Sequence, residues 1–98
     1  MKIVAVCDSK ECATLLEDAG KELNFEVVCE VQNGLDISNE IPESEIRLSN
    51  AVLFAIDGEV EHIAKIERFI DCEYYEVEPK FVIDNAKNVL LEIASDIN

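Results

Sequence analysis

The sequence predicts an α/β fold: an open four-stranded parallel sheet with helices on both faces, a Rossmann-like three-layer sandwich. Three observations carry this expectation. The runs KIVAVC (2–7) and NAVLFAI (50–56) are continuously apolar, as strands buried on both faces are. Stretches of helical spacing stand between the strand-like runs. The element order reads β-α-β-(α)-β-α-β-α, the alternation that builds parallel sheets through crossover helices.

KIVAVC is the first strand. From Ser9 to Leu23, the apolar positions Cys12, Leu15, Leu16, Ala19 and Leu23 share one helical face, with Glu17, Asp18, Lys21 and Glu22 on the wet face. Asp8 or Ser9 can cap this helix, and Gly20 weakens its last turn. FEVVCEV (25–31) is the second strand. QNGLDISNEIPESE (32–45) is polar and turn-rich, with Asn33-Gly34 a strong turn signal. Pro42, followed by ESEIRLS, can open a short helix. NAVLFAI is the third strand. GEVEHIAKIERFI (58–70) carries Val60, Ile63, Ile66 (or Ala64) and Phe69 or Ile70 at helical spacing and predicts a helix. EYYEV (73–77) is a short fourth strand at the sheet edge, with one tyrosine in and one out, and its acidic surroundings discourage edge pairing. PKFVIDNAKNVLLEIASDI (79–97) closes the chain as helix, with a break expected at Asp84-Asn85 and a buried face of Ala86, Val89, Leu90, Ile93 and Ile97.

At 98 residues, 49% of them apolar, the chain is expected to form one domain, 1–98. Its 22 acidic and 8 basic residues give a net charge of −14, which repels phosphate backbones and anionic headgroups and argues against nucleic acid as a partner. No apolar stretch approaches the ~20 residues that span a bilayer. The N-terminal apolar run is too short for a signal peptide. A cytoplasmic location without direct membrane insertion is therefore expected. Cys7, Cys12, Cys29 and Cys72 are then expected to be reduced. No CxxC pair occurs, and His62, expected on a helix surface, has no cysteine or carboxylate at ligand spacing. No metal and no cofactor is expected.

In parallel sheets of this kind ligands bind at the carboxyl ends of the strands. Cys7 falls at such an end, just before a helix N-terminus. The unpaired N–H groups there favour an anion and lower a thiol pKa. A thiolate so placed suits attack on a phosphoryl group, with nearby donors to hold the product oxygens. Cys7 as a small buried hydrophobe is the competing structural reading, and a Cys7–Cys12 redox pair a third.

MKIVAVCDSKECAT resembles the start of the fructose-specific enzyme IIB family of the bacterial phosphoenolpyruvate-dependent sugar phosphotransferase system. There, Met-Lys-Ile-Val-Ala-Val leads to a phosphorylated cysteine in the loop Cys-Pro-Thr-Gly-Ile-Ala-His-Thr. Cys7 matches the phosphocysteine, Thr14 the last threonine, and Ser9 stands for the first. Glu30, Gln32, Asn39 and Ile41 follow the family's Glu-Thr-Gln-Gly and Glu-Asn-x-Leu segments. Asp57 matches an Asp ending the third strand, and Arg68-Phe69 an Arg-Phe before the fourth. The loop departs at Asp8 for Pro, Lys10 for Gly, Glu11 for Ile and Ala13 for His. Asp8 and Glu11 put like charge beside a phosphate site, which Lys10 partly offsets.

The resemblance implies a relay. A phosphohistidine on an enzyme IIA domain passes its phosphoryl group to Cys7, which hands it to a fructose-like sugar at the membrane enzyme IIC. Residues Asp8, Ser9, Lys10, Glu11, Cys12, Ala13 and Thr14 would form the phosphate-binding loop, and Gln32, Asn33 and Asp57 could frame it. The altered loop leaves two alternatives open: a non-catalytic interaction or regulatory domain of the same fold, and a thiol redox protein using Cys7 and Cys12.

Overall fold

The computed structural model describes residues 1–34 and 36–97; Leu35, in the turn-rich 32–45 segment, and Asn98, the last residue of the expected domain, lie outside the described residues. The elements are β1 (Lys2–Cys7), α1 (Lys10–Leu23), β2 (Glu26–Asn33), β3 (Asp36–Ser38), α2 (Glu43–Arg47), β4 (Ala51–Ala55), β5 (Tyr74–Val77) and α3 (Pro79–Ile97). Two 3₁₀ turns, Val60–His62 and Ile66–Phe69, link β4 to β5.

The strand order is β3-β2-β1-β4-β5. β2, β1, β4 and β5 run parallel, as expected, and β3 adds an antiparallel edge strand. The sheet therefore has five strands, not four. β3 escapes sequence reading because it pairs only three residues of β2 and exposes Asp36 and Ser38, too short to show a period. The turn before it uses Gly34 at φ +66°, in agreement with the Asn33-Gly34 signal.

Period-2 alternation sorts the core into two halves. Ile3, Ala5 and Cys7 of β1 and Ala51, Leu53 and Ala55 of β4 face α1 and α3. Val4, Val6, Val52 and Phe54 face α2 and the 3₁₀ turns, where Ile41, Ile46, Ile63 and Phe69 complete the packing. Ile3 through Cys7 are all fully buried, which accounts for the unbroken apolar run of β1.

α1 begins at the Ser9 cap, whose Oγ accepts from Cys12 N–H at 3.2 Å. It ends at Asn24, left-handed at φ 63°. Gly20 on α1 lies against β2: a Cβ there would stand 2.5 Å from Val27 Cγ2 and 3.2 Å from the Phe25 carbonyl oxygen. Gly20→Ala is therefore expected to lose about 1–2 kcal/mol of stability net of alanine's better helix propensity, seen as a lower urea midpoint at unchanged slope. The break in α3 falls at Asn85, whose backbone is extended and whose Oδ1 accepts from Asn88 N–H at 3.0 Å. Ala86, Val89, Leu90 and Ile93 are buried as their spacing predicts, and Ile97 is partly so.

The helix expected over 58–70 does not form. Lys65 is left-handed at φ 57° and separates the two 3₁₀ turns. Side chains claim the backbone groups a helix would have paired. Gln32 donates to the Ala64 carbonyl at 3.1 Å and accepts from the Ala64 N–H at 3.0 Å, and Arg68 donates to the Lys65 and Ala64 carbonyls. His62 lies exposed beside Glu59 and Glu61, with ligand-type atoms within 4.8 Å of one another. Carboxylates thus do stand near this histidine: Glu59 three residues before it and Glu61 next to it, gathered by the 3₁₀ turn.

Candidate functional site at the carboxyl end of the sheet

Cys7 is the last residue of β1, level with Val31 of β2 and Ala55 of β4. Its side chain points into the α1–α3 half of the core, where Cys12 and Cys29 also lie, and it is wholly buried. The neighbouring Cys29 thiol and burial push its thiol pKa far up, with Cys12 and Asp8 adding in the same direction. This reverses the lowered pKa that a helix N-terminus alone predicts. The side chain takes the core-facing position of the pleat, so the α1 dipole does not reach an open thiolate.

Only Asp8 and Ser9 separate β1 from α1, so residues 10–14 lie in the first turns of the helix instead of in a loop. Lys10, Glu11 and Thr14 are exposed on it; Cys12 and Ala13 are buried. Two N–H groups near this end already have acceptors from the chain itself. Ser9 Oγ takes that of Cys12, and Asp8 Oδ2 takes that of Asp57 at 3.2 Å. Asp8 thus ties the ends of β1 and β4 together with a carboxylate at the place expected for an anion.

Asp57 is exposed at this end, and it joins the site through its backbone. Asn33 is exposed at the end of β2, paired with Asp36. Gln32 does not frame Cys7. Alternation puts it on the opposite face of the sheet, with Glu30. The thiols of Cys12 and Cys29 point to backbone carbonyls, of Pro79 at 3.9 Å and Ala13 at 3.6 Å.

The strongest polar cluster is one that sequence reasoning left without a role. Glu30, the buried charged residue of β2, receives Arg68 Nη1 at 2.7 Å, Arg68 Nη2 at 3.1 Å, Ile41 N–H at 2.8 Å and Gln32 Nε2 at 2.7 Å. Arg68 also donates to the Ile41 carbonyl at 2.9 Å. Burial alone would raise the Glu30 carboxyl, but Arg68, Ile41 N–H and Gln32 together hold it below its usual value. The sequence signal was a glutamate at an inward position of β2, which demands a buried cation.

The chain has the fold of the IIB domains of sugar phosphotransferase systems. Its likeness is to the fructose-specific type. A predicted fructose-specific IIB from Escherichia coli is similar over 99% of this chain and 89% of its own, with TM-score 0.85 and 22% identity. A domain of a fructose-specific IIABC component from Borrelia burgdorferi covers 93% of this chain and 90% of its own, with TM-score 0.80 and 28% identity. An enzyme IIB subunit from Escherichia coli K12 covers 98% and 90%, with TM-score 0.78 and 24% identity. No family model and no curated protein matches the sequence. Among the described residues, no helix is long and apolar enough to cross a membrane.

Proposed function

We propose that residues 1–98 form a fructose-type IIB component of a sugar phosphotransferase system, docking on an enzyme IIA domain and on a membrane IIC partner in the cytoplasm. With the Cys7 side chain turned into the core, it does not carry phosphate there. The observation behind this second point is the full burial of the Cys7 side chain against Cys29. A protonated, inward-facing thiol is no nucleophile. The fold and the sheet end remain available for partner binding.

The carrier reading is kept by one observation: Cys7 still ends β1 directly before α1. On this reading the Asp8–Asp57 contact opens and Cys7 loses its proton. Its proton goes to water; its sulfur then attacks the phosphorus held on a IIA histidine nitrogen, the N–P bond breaks with its electron pair returning to that nitrogen as the S–P bond forms, and the S–P bond later breaks as a sugar hydroxyl oxygen bonds to phosphorus and gives up its proton to water.

Mixing the protein with phosphorylated fructose-type enzyme IIA, and reading intact mass alongside binding, separates the two. Expected is binding without a phosphate adduct, identical in Cys7→Ser. An adduct lost in Cys7→Ser would establish the carrier. Failure to bind IIA would remove the phosphotransferase assignment.

A further inference from the structure

We propose that the hollow around Phe81, where β5 meets α3, is a docking groove for a basic segment of a partner protein. This inference does not depend on the phosphotransferase reading. The groove has a volume of about 510 Å³. Its buried floor is Leu53, Val89 and Ile93, with Tyr75 and Val77 half-buried beside them. A second hollow of about 460 Å³ at the ends of β4 and β5 shares Glu76, Val77 and Phe81 with the first, so both border Phe81. Phe81 is 50% exposed, a large apolar side chain left without cover.

Acidic side chains predominate around this apolar surface, with Lys80 lying over the Phe81 ring. Asp84, Glu92 and Glu76 line the groove, and Asp57 and Glu78 the second hollow. No lysine or arginine lines either, among the described residues. The chain itself shows which chemistry the ring face accepts: Lys80 Nζ lies 5.3 Å from the Phe81 ring centroid and 3.4 Å from Glu78. Both side chains of that pair are largely exposed, so an incoming cation displaces it at small cost.

These features choose the occupant. A second copy of this chain brings a net charge of −14 to an acidic groove and is repelled. A small polycation would satisfy the carboxylates and leave the apolar floor wet. A lysine- or arginine-bearing segment with an aliphatic or aromatic anchor covers both, its charges on the rim and its anchor beside Phe81.

The test titrates the intact protein with an amidated amphipathic leucine–lysine peptide at about 0.15 M salt, following backbone amide NMR shifts. Expected are shifts confined to β5, the 76–78 region and the first turns of α3 through Glu92. Asp84→Lys with Glu92→Lys, and separately Phe81→Ala, should each weaken binding about tenfold or more, while Glu17→Lys with Asp36→Lys, the same charge change far from the groove, should weaken it by less than about twofold. All these side chains are solvent-exposed, and the amide spectrum itself reports that each variant is folded. Equal weakening by the two charge-reversal pairs would overturn the proposal, as generic attraction to an acidic protein. So would shifts spread over the whole surface, spermidine binding as tightly as the peptide, or a self-associated protein that Phe81→Ala dissociates.

Discussion

Arg68→Ala is expected to cost about 3–5 kcal/mol of stability at neutral pH, the cost of leaving a buried charge without its partner. Glu30 has no solvent exposure, and Arg68 supplies two of its hydrogen bonds and, among the described residues, the charge that neutralises it. The same guanidinium donates to the carbonyls of Ile41, Ala64 and Lys65; its loss takes this donor from Ile41, while Ala64 keeps Gln32 Nε2 and Lys65 keeps the backbone N–H of residue 68. The effect carries a pH signature. The folded Glu30 carboxyl lies below its usual value, so the intact network stabilises fully above the ordinary glutamate pKa of about 4.3. That contribution is lost as pH falls through the lower folded value. In the variant, burial without the arginine raises the carboxyl instead, and the deficit shrinks as Glu30 takes up a proton. Urea unfolding of both proteins from neutral pH to acid should show the two curves converging. A deficit below about 1 kcal/mol, constant with pH, would mean that the pair is solvent-screened and weak. Replacing both Glu30 and Arg68 by leucine should cost less than the single change, since no charge is then stranded.

This network also shows where sequence reasoning stops. β1, β4 and the two long helices announce themselves because their burial is decided by neighbours in sequence: continuous apolar runs, or apolar residues every three to four. The break at Asn85 was legible for the same reason, since an asparagine that caps the following turn does so three residues away. The 58–70 segment has helical spacing as well, but partners 32 residues away in Gln32 and 38 away in Glu30 take over its polar groups. Local periodicity cannot report such long-range competition. Gln32 illustrates the same limit at the site. Its place at a strand end suggested a frame for Cys7, while the pleat turns it to the other face of the sheet. The position of Cys7 at the end of β1 was readable; which way its side chain faces depends on the register of a strand with no polar residue to mark an outside.

That direction sets the second large effect. Cys7, Cys12 and Cys29 are buried, and Cys72 is half-buried. In the native protein Cys72 should be alkylated first, although burial, with Asp71 and Glu43 beside it, raises its own thiol pKa. Cys7 should react about 100-fold more slowly or less, because reaction waits on an opening of about 3 kcal/mol or more. In denaturant all four should react alike. Peptide mapping after timed iodoacetamide treatment gives each rate separately. Asp8→Ala tests what holds the end closed: it removes the carboxylate that accepts from Asp57 N–H and one charge that raises the Cys7 thiol. It should speed Cys7 while leaving Cys29, deeper along β2, unchanged. A native Cys7 that outpaces Cys72 would mean that the amides of α1, and not the contact with Cys29, govern its ionisation. The sulfur would then be poised to accept a phosphoryl group, with Asp8 a removable gate. A slow Cys7 that Asp8→Ala does not hasten would instead make the thiol a core side chain, and leave partner binding as the work of this fold.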